Sequence, residues 1–184
     1  MTETFTYFAY GSNMLSTRLR ARCSSAQLLQ TGVAKGYRLE FCKKSTDGSG
    51  KATLVECNSI VETPGVLFKI NRDELSSLDS AEGKGYGYDR QDAFGIVTSE
   101  ETKTATTYIA SATATACDLI PYDWYLALVL AGAIEHGFAQ EYIDRIRDVK
   151  HRSDPEPERA SRRDAIDALK IAGHENYKIL LTKD

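Results

Sequence analysis

Read from its N-terminus, the chain alternates polar and apolar positions as strands do at first and as helices do later. Thr4 to Tyr10 is aromatic and β-rich, the composition of a buried strand. Gly11 permits a sharp turn directly after it, because glycine reaches backbone angles closed to other residues. Ser12 and Asn13 are good helix-capping residues, and Met14 to Arg20 reads as an amphipathic helix with Met14, Leu15 and Leu19 on one face. Val33 to Lys43 sets Tyr37, Leu39 and Phe41 against Arg38, Glu40 and Cys42, the alternation of a half-buried strand. Ser45 to Gly50 is a glycine-bearing loop on the rim of something. Lys51 to Cys57 and Val66 to Ile70 form further strands, separated by a turn at Glu62 to Gly65 that puts Pro64 at a strand start. Asn71 caps a helix with Asp73 and Glu74 in its first turn and Leu75 and Leu78 facing the core, ending at Glu82 and Gly83.

Tyr88 to Thr98 and Lys103 to Ala112 read as a hairpin around Ser99 to Thr102. Pro121 opens a helix whose stretch from Trp124 to Ile134 is apolar nearly all round and so belongs in the core, and Gly137 stops it. Tyr142, Ile143, Ile146 and Val149 stand at helical spacing in the next segment. His151 to Arg163 is charged, contains Pro155 and Pro157, and reads as an exposed linker. Ala165 to Ala172 gives a last short helix, and Tyr177 to Leu181 a strand or a docked tail. Strands broken by short helices lack the regular βα alternation of a doubly wound sheet. The expected fold class is α+β: a small mixed, mostly antiparallel β-barrel with helices packed around it. Residues 1–150 form the main domain, and 151–184 a charged linker and tail packed on it.

Composition narrows the function more than the fold. At 184 residues the chain suits a single core, and a net charge of −3 gives no electrostatic reason to expect nucleic-acid binding. Cys23, Cys42, Cys57 and Cys117 show no zinc-type spacing and read as reduced, buried thiols of a cytoplasmic protein. Glu3, with no basic region ahead of an apolar run, does not read as a signal peptide, and Trp124 to Ile134 is too short to cross a bilayer.

Two places carry candidate chemistry. The strand, Gly11 and the helix start leave backbone N–H groups aimed at one point, which attracts a carboxylate or phosphate. An ordinary strand-to-helix corner has the same composition. Glu82 sits at the negative end of a helix, beside Gly83, Gly85 and Gly87, whose backbone can fold closely around a small object. The dipole and any burial both raise a carboxyl pKa, toward the range where it can take and return a proton. A plain solvated carboxylate also fits there. Tyr86 and Tyr88 either line a pocket rim or pack. His136, His151 and His174 are scattered, Ser12 lacks the second glycine of a nucleophile elbow, and Gly83 to Gly87 precedes no Lys-Ser/Thr pair. No metal or cofactor is expected.

The run Tyr7-Phe8-Ala9-Tyr10-Gly11-Ser12-Asn13-Met14 resembles the N-terminal signature of the γ-glutamylcyclotransferase family. Leu78 to Gly83, and Tyr125 with Gly132 to Gly137 behind it, match in the same order, and Gly65 to Asn71 is similar to the family's strand before the glutamate segment. The likeness spans about residues 5 to 147. It implies a cofactor-independent enzyme that closes a γ-glutamyl amide to 5-oxoproline and releases an amino acid or amine. Glu82 falls on the catalytic glutamate. Tyr7, Phe8, Ala9, Tyr10, Gly11, Ser12 and Tyr125 fall on substrate-binding positions, with backbone donors near Gly11 and Ser12 for a carboxylate or oxyanion. Ser80 and Ala81 depart from the acidic and amide residues of the mammalian stretch, which puts substrate choice in doubt rather than chemistry. Relatives of this fold act on γ-glutamyl amino acids, γ-glutamylamines or glutathione, and the leaving group is not readable. A non-catalytic carboxylate-binding module on the same fold is the alternative. An exposed part of the Trp124–Ile134 helix would offer a homodimer surface.

Overall fold

β5 (Glu62–Asn71) is the strand about which the sheet closes in this computed structural model, which describes residues 2–58 and 60–183. It pairs antiparallel with β1 (Thr4–Ala9) on one side and with β2 (Gln27–Lys35) on the other. β6 (Tyr88–Val97) follows β2, and β7 (Thr102–Ala110) forms a hairpin with β6. A parallel contact of Tyr7 with Thr106 joins β1 to β7 and closes the barrel in the order β1-β5-β2-β6-β7. Flanked on both edges, β5 buries Val66, Leu67, Phe68 and Ile70 almost completely. β3 (Tyr37–Lys44) and β4 (Gly50–Glu56) stand apart as a two-stranded ribbon.

The expected barrel is present, with local corrections. The strand read as Val33 to Lys43 is two strands, bent at Gly36, whose φ of +82° favours glycine. The first half of β2 escaped the pattern because a bulge between Leu28 and Gln30 breaks the two-residue period, leaving Leu28 and Leu29 both half-exposed. Glu62 to Gly65 is no turn but the start of β5. β1 ends opposite Val66, so the flank of β5 on that side is unpaired at Pro64 and no N–H is asked of it.

Helices cover the barrel. α1 (Ser16–Arg20) and α2 (Leu75–Glu82) are short, and α3 (Asp123–Glu135) is buried from Asp123 to Ala133. α4 (Gln140–Arg147) and α5 (Ala160–Ile171) pack on it. α3 therefore has no free apolar face for a second copy, since only Ile134 and Glu135 at its end are exposed. The helix foreseen over Met14 to Arg20 is interrupted: a 3₁₀ turn over Ser12–Met14 gives way to extended Leu15 before α1 begins.

The C-terminal region differs most from expectation. α5 starts five residues earlier than the pattern gave, at Ala160 rather than Ala165. Most of His151 to Arg163 is exposed, as expected, but the segment is anchored at Asp154, whose buried carboxylate accepts from the Trp124 indole N–H at 3.0 Å and pairs with Arg159 at 2.8 Å. Tyr177–Leu181 is a docked 3₁₀ turn, its Tyr177 hydroxyl donating to Asp123 at 3.3 Å. Of the cysteines, all free, only Cys23 is buried; Cys42 and Cys57 are partly exposed and Cys117 is open to solvent. None of the described helices is long and apolar enough to cross a membrane.

Candidate functional site

The turn after β1 and the end of α2 meet at one cavity. Tyr7, Tyr10, Gly11, Ser12, Asn13, Glu82 and Tyr125 line it, together with Ala52 of β4, Tyr88 and Tyr108. Of the residues singled out from sequence, Phe8 and Ala9 are not brought there. Phe8 projects from the opposite side of β1 to Tyr7 and stacks on Phe94, and Ala9 is buried in the core. Tyr88 lines the cavity, whereas Tyr86 is 96% exposed.

Gly11 is needed for room, not for unusual angles. Its φ is −119°, and a Cβ there would stand 3.1 Å from the Ala52 Cβ. The first bond of the 3₁₀ turn runs from the Met14 N–H to the Gly11 carbonyl at 3.0 Å, and no protein acceptor meets the Ser12 or Asn13 N–H among the described residues. With the helix broken at Leu15, free amides rather than a helix dipole give this corner its appetite for anions.

α3 holds the turn from behind. The Glu135 carboxylate accepts from the Ser16 N–H at 3.0 Å, capping α1 from another helix, and His136 Nε2 donates to the Met14 carbonyl at 2.8 Å. Gly132 lets α3 approach, since a Cβ there would come within 2.6 Å of the Met14 Cβ and 2.7 Å of the Leu15 nitrogen. The stretch from Gly132 to His136 is thus a buttress for the corner rather than part of the cavity wall.

Glu82 is placed by α2, which ends in left-handed Gly83 with φ +67°. Its Oε1 accepts from Asn13 Nδ2 at 2.8 Å and from the Arg22 guanidinium at 2.6 Å. Those donors hold the carboxylate rotamer and offset the charge that the helix end would repel. Oε2 accepts no protein hydrogen bond among the described residues. Sequence reasoning missed Arg22 altogether: no local pattern ties it to a residue 60 positions away. Asn13 was visible, but as a cap; its amide serves Glu82 and the Tyr7 hydroxyl, the latter at 3.0 Å.

Tyrosines form the remaining wall. Tyr125 accepts from the Ala52 N–H at 3.0 Å, and Tyr88 donates to the Ala52 carbonyl at 2.6 Å, so the β3–β4 ribbon is stapled across the cavity. Tyr10 donates to the Tyr108 carbonyl, and Tyr108 to Asp79. Burial first, and then the Glu82 charge, push the Tyr7 and Tyr10 hydroxyls well above the ordinary phenol range. Burial likewise pushes Tyr125 up to about 12. These phenols are neutral near pH 7 and can only accept or donate hydrogen bonds, and Glu82 is the one carboxylate among the residues that line the cavity. No cluster of three or more His, Cys, Asp or Glu side chains fit to hold a metal ion occurs among the described residues.

Known proteins resemble the chain in sequence and in fold. Residues 62–146 match the AIG2-like family. The chain is 29% identical over 153 residues to the mouse γ-glutamylcyclotransferase, covering 80% of each, and 38% identical over 86 residues to the bovine one, covering 44% of this chain and 45% of that one. A solved γ-glutamyl cyclotransferase superposes with a TM-score of 0.78 at 27% identity, covering 90% of this chain and 99% of the other. In sequence and in fold the chain is therefore similar to the γ-glutamylcyclotransferases and to the AIG2-like family, and this likeness supports that enzyme class.

Proposed function

We propose that the protein closes γ-glutamyl amides to 5-oxoproline, with Glu82 as the single acid and base. The observation that carries this reading is the free Oε2 of a carboxylate whose other oxygen is clamped, in one cavity with the Gly11–Ser12 corner and Tyr125. The substrate brings its own nucleophile. Its α-ammonium gives a proton to Glu82, and the freed amine attacks the γ-carbonyl carbon. The new C–N bond closes the ring, and as the bond to the leaving nitrogen breaks, Glu82 returns the proton to that nitrogen. The second proton of the ring nitrogen follows by the same carboxylate, so the lactam keeps one N–H and the leaving group departs as an ammonium. No water is consumed and no enzyme-bound acyl group forms. The Ser12 and Asn13 amides hold the α-carboxylate or the developing oxyanion. The walls fold the substrate so that amine and carbonyl meet, where intramolecular attack gains most from orientation. Incubation with γ-glutamyl dipeptides should release 5-oxoproline. Tight binding without any product from any γ-glutamyl compound would leave a carboxylate-binding module instead.

Tyr125→Phe separates positioning from proton transfer. It leaves the buried Ala52 N–H without an acceptor, at a cost of about 1–3 kcal/mol. Steady-state kinetics should show KM rising more than kcat falls, with a lower melting temperature. A variant matching wild type in both would remove Tyr125 from the site.

A further inference from the structure

Outside the inner cavity lies a wider basin that shares Ser12, Glu82, Tyr88 and Tyr125 with it. The basin therefore adjoins the inner cavity at Glu82. Its walls are unusually basic for a chain of net charge −3, with Arg18, Arg22, Lys43, Lys51 and Arg159 against Asp47 and Glu82. Most of these cations are already matched: Arg22 by Glu82, Lys51 by Asp47 at 2.9 Å, and Arg159 by Asp154. Arg18 and Lys43 are not. Neither makes an ion pair within 4.0 Å among the described residues, and the Arg18 Nε is buried with no hydrogen-bond partner.

Both are held in place without a carboxylate. Lys43 crosses the face of Tyr88, its Nζ 4.9 Å from the ring centre, and lies against the backbone of Gly87, where a Cβ would stand 2.6 Å from its Cε. Arg18 projects from α1, which is tied to α5 by a 2.8 Å bond from the Thr17 hydroxyl to the Ala168 carbonyl. Burial and the neighbouring Arg22 charge pull Arg18 down to about 10, and burial also lowers Lys43. An anion in the basin would relieve both.

We propose that the basin receives the leaving portion of the substrate and selects γ-glutamyl compounds whose leaving group is an acidic amino acid, with one carboxylate for Arg18 and one for Lys43. This rests on the cyclotransferase reading above. The γ-glutamyl head occupies the inner cavity with its own carboxylate on the corner amides, so the unmatched cations outside are left for the other half of the molecule. An uncharged amine would leave both cations unanswered.

γ-Glutamyl-glutamate and γ-glutamyl-glutamine have the same length and shape and differ by one charge. Release of 5-oxoproline from each, at low ionic strength, isolates that charge. The expected result is a kcat/KM for γ-glutamyl-glutamate higher by roughly ten- to a hundredfold, falling as salt screens the site. One of Arg18→Gln and Lys43→Gln, whichever removes the cation facing the side-chain carboxylate, should bring the ratio toward one, and the other should lower kcat/KM for both substrates alike. A ratio at or below one in the wild-type protein, or a ratio that neither substitution lowers, overturns the proposal. If both substrates turn over equally, only the selectivity fails; if no γ-glutamyl compound yields 5-oxoproline, the cyclotransferase reading fails and the selectivity with it.

Discussion

Replacing Glu82 by glutamine is expected to lower kcat by roughly 10²- to 10⁴-fold while substrate binding persists. The amide keeps the shape of the side chain and can still accept from Asn13 and Arg22 through its oxygen. It cannot take the ammonium proton or return one to the leaving nitrogen. No second base stands in reserve, because the other ionisable groups of the inner cavity are phenols held neutral by burial. Arg22 does lose its counter-charge, but it is partly open to solvent through the outer basin, so the fold should tolerate the change. Calorimetric titration of the variant with a γ-glutamyl dipeptide, beside turnover, distinguishes lost chemistry from lost binding. A variant with the wild-type rate would exclude Glu82 as the proton carrier.

The largest effect on stability is expected from Gly132→Ala. The added methyl group would fall 2.6 Å from the Met14 Cβ, 2.7 Å from the Leu15 nitrogen and 2.9 Å from the Met14 carbonyl carbon. These are backbone and near-backbone atoms of the corner itself and have no rotamer to move into. Helix α3 must therefore shift, or the corner must. Overpacking of this kind costs roughly 1–3 kcal/mol, which for a chain of this length lowers Tm by roughly 2–12 °C. Activity should fall with it, since Ser12 and Asn13 lie on the displaced turn. Gly95→Ala is the control: nothing lies within 4 Å of a Cβ there, and its melting should stay near wild type. Equal melting of both variants would show that the contact of α3 with the corner is not tight.

How much of this was legible in the sequence depends on the range of the contacts. β1, the corner at Gly11 and the buried stretch of α3 are local patterns, and each formed where composition placed it. β2 was hidden by its bulge, and α1 was overextended because nothing in Met14-Leu15-Ser16 announces the break. The site shows the same division. Glu82 and Tyr125 were found through a family likeness, not through spacing. Arg22 and Ala52 were missed because their partners lie 60 and 73 residues away, and no local rule registers such pairs. His136 was set aside for lacking catalytic neighbours, and its bond is to the backbone that carries the corner. The segment from His151 to Arg163 is mostly exposed as its charge indicated, but its anchor was not legible, since Asp154 is held by Trp124, 30 residues away, and by Arg159.

The most direct test is a crystal structure of the protein with 5-oxoproline bound. The product carboxylate should lie on the Ser12 and Asn13 amides, with the ring nitrogen within hydrogen-bonding distance of Glu82 Oε2. A ring bound anywhere outside this cavity, or bound in it with Glu82 turned away toward solvent, would contradict the pairing of that carboxylate with the corner after β1 on which the proposed reaction depends.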